Sequence, residues 1–330
     1  MNVKFRIRLA AAAGAAALGL SLLTTPASAD SETRQIVGVG SDTTQDVVNA
    51  LGNVIPDPNG TPDNQLIQSY DATGTTPVTC RTGGVILRPN GSSPGIDALR
   101  DDLSNPAIDC VDFARSSRGP VDLTTARLTW IPFAKDAVTV AVRSDSALND
   151  GVGFTTGQLH AIYSCAKTTH NGVALTPLLP HPGSGTRAFF LEKIGLSEAQ
   201  IGLCVNGTVQ PNDGTALGTA GDIAPYSVAQ YTAQIFNVVV DRHGVTVLTR
   251  VNGVPPRLPS GTVNANFPYQ RDVYNVVPTA KLAGGATPEP DLINAFGGPN
   301  SRICAERNVI EAYGFGRIPN CGITTLKGER

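Results

Sequence analysis

The sequence is poor in the features that mark several functional classes. Only 16% of its residues are charged and only 5% are aromatic. The Lys and Arg residues form no block, so a nucleic-acid or membrane-surface role has no electrostatic support. There is no C-x-x-C pair, and His160, His170, His181 and His243 stand at no ligand spacing. No zinc site and no cofactor is expected. Beyond residue 29 there is no internal repeat, no low-complexity tract and no regular all-β spacing, which argues against a purely structural or adhesive chain. No later segment is apolar enough to span a bilayer. Gly38-Val39-Gly40 lacks the third glycine of a dinucleotide fingerprint.

The N-terminus carries the plainest signal. Lys4, Arg6 and Arg8 precede an apolar run from Leu9 to Leu23, Pro26 follows, and Ala27-Ser28-Ala29 is a small-x-small pattern. Residues 1–29 read as a secretory signal cleaved after Ala29. The alternative is a membrane anchor, for which the run is short against the ~20 residues a span needs. No Cys lies near the cleavage site, so the mature protein is expected to be secreted without a lipid anchor. The remaining chain holds 22 Lys and Arg against 27 Asp and Glu. Its length suits two domains. Six cysteines, Cys80, Cys110, Cys165, Cys204, Cys304 and Cys321, fit disulfides in an oxidising compartment. Their pairing is open; joining chain neighbours would give 80–110, 165–204 and 304–321.

Short β-branched runs alternate with helical patterns, which predicts an α/β fold. Strands are expected at 35–40, 85–87, 111–114, in two stretches within 128–142, and at 238–240, 245–251 and 273–277. Helices are expected after Ser41-Asp42-Thr43-Thr44, after Gly91-Ser92-Ser93-Pro94-Gly95, at 157–163, after Gly183-Ser184-Gly185-Thr186-Arg187, and at 227–234. Residues 56–79 read mostly as loop.

Three of these Gly- and Ser/Thr-rich turns, together with Arg115-Ser116-Ser117-Arg118, share one design: a strand ends, and a turn rich in small hydroxyl residues follows. Free N–H groups at a helix start together with hydroxyls make an anion site, and glycine admits a ligand close to the backbone. The structural alternative for any single turn is ordinary helix capping.

Together these segments resemble the phosphate-binding receptors of ABC transporters, in the type II periplasmic-binding-protein class. Gly40-Ser41-Asp42-Thr43 resembles the family's Gly-rich turn near the mature N-terminus. Gly91-Ser92-Ser93-Pro94-Gly95 is similar to its Gly-Ser-Ser-Gly-Gly turn, which carries a ligand serine over to Ser92. Asp112-Phe113-Ala114-Arg115-Ser116-Ser117 is similar to its Asp-Phe-Gly-Ala-Ser-Asp segment. Gly183-Ser184-Gly185-Thr186 matches its Gly-Ser-Gly-Thr helix start unchanged. Leu159 to Tyr163 resembles the short helix of the second lobe, and Phe267-Pro268 the return into the first.

The resemblance implies two α/β lobes, each with a central mixed sheet flanked by helices, joined by two crossing segments near 132–137 and 236–240. Lobe one would hold 30–135 and 238–330, lobe two 136–237. It implies a monomeric binding protein that is no enzyme, that captures phosphate or, failing that, sulfate between the lobes, and that serves an ABC permease. The ligand set would be Ser41, Asp42, Thr43, Ser92, Ser93, Arg115, Ser116, Ser117, Ser184, Gly185, Thr186 and Arg187. Two departures matter. The family's proton-accepting Asp falls on Ser117, and its ligand Arg falls on Pro180. Asp42 would then supply the acceptor, and Arg115, Arg118 or, foremost, Arg187 the cation. A serine hydrolase built on Ser93 is the competing reading, since Gly91 to Gly95 fits G-x-S-x-G. Pro94, however, has no N–H to offer an oxyanion hole there.

Overall fold

A computed structural model describes residues 34–60 and 64–330; the signal-peptide reading falls outside the described residues. The fold is α/β, organised on a ten-stranded mixed sheet. In chain order its strands are β1 (Ile36–Gly40), β2 (Ile67–Ser69), β3 (Phe113–Ser116), β4 (Leu128–Arg143), β5 (Thr176–Pro180), β6 (Asn206–Val209), β7 (Asp222–Ser227), β8 (Thr246–Leu248), β9 (Gln270–Pro278) and β10 (Lys327–Gly328). The order across the sheet is β6-β5-β7-β4-β9-β3-β1-β2, with β8 and β10 also pairing with β4. The helices are α1 (Gln45–Val54), α2 (Ser92–Ser104), α3 (Thr156–Tyr163), α4 (Gly185–Ile194), α5 (Val228–Ile235), α6 (Pro290–Phe296), α7 (Arg302–Ala305) and α8 (Arg307–Ala312).

β4 is the backbone of the molecule. The two stretches expected within 128–142 form one strand, Leu128–Arg143, sixteen residues long and buried at every position but Lys135 and Arg143. Such a near-continuous apolar run suits a strand covered on both faces. Residues 128–137 pair antiparallel with β9, and residues 138–143 pair antiparallel with β7 and β8. One strand thus joins two halves of the sheet.

In the first half, successive residues of each strand feed two cores, as the two-residue period demands. Ile36, Phe113, Ile131 and Val277 pack with Val47, Val48 and Leu51 of α1 and Phe296 of α6. Their neighbours Val37, Ala114, Trp130 and Val276 pack with Ile96 and Leu99 of α2. In the second half Val138, Val140 and Val142 pack with Leu159 and Ile162 of α3 and Phe190 of α4.

Residues 238–330, expected in lobe one, do not all pack with the first-half core. Val251, Phe267 and Tyr269 pack in the second-half core with Val138 and Val140. The chain re-enters the first half only at β9, where Gln270 pairs with Ala137. No strand forms at 238–240. Asn237 turns the chain with φ 55° just past α5, and Val240 is 71% exposed. The β-branched run has no sheet edge to join. Residues 56–79, expected as loop, include the parallel strand β2 against β1.

The six cysteines pair as Cys80–Cys110, Cys165–Cys204 and Cys304–Cys321. Among the described residues no helix is long and apolar enough to cross a membrane.

Candidate functional site

The four turns meet at one place. β1 ends at Gly40, and the next amide, of Ser41, donates to the Arg115 carbonyl at the end of β3, 3.1 Å away. α2 starts at Ser92 behind Gly91, whose φ of 112° suits glycine alone; a Cβ there would lie 2.9 Å from the Gly183 carbonyl oxygen. That same carbonyl accepts from the Ser93 amide at 3.0 Å, tying the α2 turn to the α4 turn. The Ser117 amide donates to Ser92 Oγ at 3.0 Å, and the two hydroxyl oxygens are 3.4 Å apart. Gly185 sits directly on this pair: a Cβ would fall 2.3 Å from Ser92 Oγ and 2.5 Å from Ser117 Oγ. Thr43 Oγ1 lies 3.2 Å from Thr186 Oγ1, across 143 residues of sequence.

Capping does not account for these hydroxyls. Thr44 at the N-cap of α1 makes no side-chain cap bond, and Gly91, which precedes α2, has no side chain to make one. Thr43 and Ser92 direct their hydroxyls to other turns instead. Ser184 alone of the four sites caps its helix, accepting from the Arg187 amide at 3.4 Å. Ser41, Thr43, Ser92, Ser117, Ser184 and Thr186 are all at most 2% exposed.

The arginines expected to supply the cation are engaged elsewhere. Arg187 donates through Nε and Nη2 to Glu198 and through Nη1 to the carbonyls of Pro180 and Gly207. One residue along a helix is a rotation of about 100°, so Arg187 leaves α4 toward the ends of β5 and β6 rather than beside Thr186. Arg115 is fully buried and laces its own turn, donating to Ser41 O at 3.1 Å, Ser69 Oγ at 2.6 Å and Gly40 O at 3.3 Å. Burial pushes its pKa down to about 10. Arg118 donates to Ser93 Oγ and the Gly119 carbonyl and stacks over Trp130. Ser116 Oγ closes its own turn onto Arg118. Ser93 therefore holds an arginine; His181 bonds Asn90 and the Pro182 carbonyl.

Asp42 stays at the cluster. Its Oδ2 accepts from Asn212 Nδ2 at 3.0 Å, and that amide also reaches Thr43 Oγ1 at 3.2 Å. Burial, the largest cause, raises the Asp42 carboxyl to about 6. Asp42 also lines a cavity of about 50 Å³ with Asp46, Asn212, Gln230 and Arg242.

Sequence reasoning misses several residues here. Asp136 of β4 is completely buried. Its Oδ2 accepts from Ser227 Oγ at 2.9 Å and from Arg271 Nε and Nη2 at 3.0 and 2.7 Å, and its Oδ1 from the Ala229 amide at 3.0 Å. Arg271 Nη2 also donates to Thr186 Oγ1 at 3.1 Å. Gln230 Nε2 donates to the Thr43 carbonyl at 2.9 Å. The available signal is a charge inside an apolar strand: Asp136 interrupts the β4 run, and Arg271 stands at the start of β9.

Comparison with known proteins agrees with this architecture. The family model of the PBP superfamily domain matches residues 25–281. No curated protein matches the chain. Among solved structures, a protein from Clostridium perfringens with bound phosphate is similar at TM-score 0.58 and 17% identity, covering 86% of this chain and 99% of that one. An ABC-type phosphate transport receptor from Vibrio cholerae is similar at TM-score 0.56 and 16% identity, covering 86% and 100%. A phosphate-binding protein from Stenotrophomonas maltophilia is similar at 0.52 and 12%, covering 88% and 92%. With the family model spanning most of the chain, and the sheet order and paired cores in the same fold, the chain belongs to the PBP superfamily, with the type II periplasmic-binding-protein architecture.

Proposed function

We propose that the protein is an exported solute-binding protein that captures phosphate between two lobes and delivers it to an ABC importer. The proposed lobes divide where β4 changes partner: about residues 34–137 with 270–330, and about residues 138–269, hinged where β4 and β9 run between them. The carrying observation is convergence. Thr43 and Thr186 touch across the two halves, and Ser92, Ser117 and Gly185 meet beside them. Each half contributes a helix start, whose first amides have no intrahelical acceptor and so favour an anion. Binding to both halves stabilises the closed arrangement.

Asp42 supports phosphate over sulfate. Hydrogen phosphate has a proton to donate to a carboxylate, whereas sulfate at neutral pH has none and meets only repulsion. The descriptions of the similar solved proteins, which name phosphate, favour the same ligand. Three disulfides suit an oxidising compartment outside the cytoplasm.

Isothermal titration at neutral pH with phosphate and with sulfate tests the reading. Phosphate is expected to bind tightly and sulfate far more weakly. Absence of binding by either anion, in protein freed of any co-purified ligand by unfolding and refolding with disulfides intact, refutes it.

A further inference from the structure

We infer that Arg271, held in place by Asp136, is the cation that receives the oxyanion. The inference rests on the solute-binding reading above. Arg271 is 4% exposed, yet its Nη1 is buried without a hydrogen-bond partner among the described residues. A guanidinium carries five N–H donors, and leaving one nitrogen dry is costly. The orientation of the fork tells where that nitrogen looks. The edge formed by Nε and Nη2 is on Asp136, while Nη2 also bonds Thr186 Oγ1 at 3.1 Å. The remaining edge, Nη1 with Nη2, therefore opens on the Thr186 side, toward the first turn of α4. Phe189 packs against the guanidinium, 5.5 Å from ring centroid to Cζ, and limits its rotation.

Asp136 cannot itself act as a ligand group. It already accepts from Ser227 Oγ, the Ala229 amide and two nitrogens of Arg271. Among the described residues its charge is balanced by Arg271 alone, so its part is to position the fork. The unpartnered Nη1 of Arg271 and the α4 amides then face a ligand of one chemical class: an oxyanion that accepts the Nη1 N–H donors beside Thr186. A neutral or cationic solute gains nothing from this arrangement.

The test is phosphate titration of the wild type, of Arg271→Lys, of the double variant Asp136→Asn/Arg271→Gln, and of Arg187→Gln. The double variant removes both charges together, so no uncompensated carboxylate is left inside. Lysine is a single-point donor and cannot serve Asp136 and an anion with one fork. Both Arg271 variants are expected to lose about tenfold to a hundredfold in affinity, and Arg187→Gln to bind as wild type does. Wild-type affinity in the folded double variant overturns this inference while leaving the solute-binding reading intact. Failure of the wild type to bind overturns both. Should neither Arg271 variant fold, NMR of wild-type protein labelled with ¹⁵N-arginine decides: phosphate is expected to shift a buried, slowly exchanging guanidinium resonance, and no shift refutes the assignment.

Discussion

Replacing Asp42 by asparagine is expected to stabilise the unliganded protein while impairing its discrimination. The carboxyl is raised from 3.8 to about 6, chiefly because burial disfavours its charged form. Ionising it therefore costs the folded state free energy. The benefit of a protonated Asp42 is complete below about pH 4 and lost as pH rises through 6. That shift corresponds to about 3 kcal/mol above pH 7, at ~1.36 kcal/mol per pKa unit. An asparagine side chain would keep the amide contact from Asn212 through its own oxygen and carry no charge. Above pH 7 the variant should thus gain up to about 3 kcal/mol, or roughly 5 °C in Tm. At pH 4 the two proteins should melt together. Binding should move the other way. Loss of a charge-assisted hydrogen bond contributes about 1.5–3 kcal/mol, so phosphate affinity should fall about tenfold to a hundredfold. Sulfate affinity should rise, because the repelling carboxylate is gone. Calorimetric melts at pH 4 and 7.5, with titration of both anions at pH 7.5, supply the measurements. A variant less stable at pH 7.5, or one with unchanged phosphate and sulfate affinities, refutes the role of Asp42 as the proton acceptor.

Other substitutions probe the same geometry. Thr186→Val keeps the shape but removes the hydroxyl that meets Thr43 and Arg271; titration should give phosphate binding weakened about tenfold or more, and an unchanged constant removes α4 from the site. Gly185→Ala places a methyl 2.3 Å from Ser92 Oγ and 2.5 Å from Ser117 Oγ, which breaks the contact between those hydroxyls and pushes α4 away from them. Small-angle scattering in saturating phosphate should show a larger radius of gyration than wild type, and equal radii contradict the close approach. Replacing Cys304 and Cys321 by serine opens a loop of sequence separation 17, which should lower stability by about 3 kcal/mol in denaturant unfolding. Phosphate affinity should be retained, because the bridge braces α7 against the first-half core rather than the turns.

What sequence reading captures, and what it misses, has a common physical root. The turns at Ser41, Ser92, Ser117 and Thr186 are legible because glycine and small hydroxyl residues at strand ends are local signals, complete within five residues. The charged pair is not. Asp136 and Arg271 lie 135 residues apart, and each alone reads as an odd charge in an apolar strand. Only the antiparallel register that pairs their Cα positions makes them partners. Arg187 illustrates the opposite: adjacency to Thr186 in sequence is not adjacency on a helix, where the next residue faces another way. It goes to Glu198, whose side chain is 60% exposed, leaving a surface-anchored pair of modest value. Val238 to Val240 carry strand composition without a strand's neighbours, and propensity alone does not make a ladder.

On the solute-binding reading, the position of Asp136 and Arg271 would link capture to closure. They pair on β4 and β9 one residue before β4 changes partner, since Ala137 still pairs with Gln270 while Val138 already pairs with Ser227. A hinge at this point would move the ends of the proposed lobes far and the hinge strands little. Arg271 would then be a fixed element of the proposed site, close to the axis. Thr186 and Gly185, at the start of α4, ride on the second half, and Thr43, Ser92 and Ser117 on the first. On the proposed reading an anion entering an open cleft would meet the guanidinium first, because Asp136 holds it. The amides and hydroxyls of α4 would reach the anion only on closure. The free energy of those later bonds would be the differential affinity that shifts the equilibrium toward the closed form, so on this reading substitutions at Thr186 should weaken closure as well as binding, whereas those at Arg271 should weaken capture in both states alike.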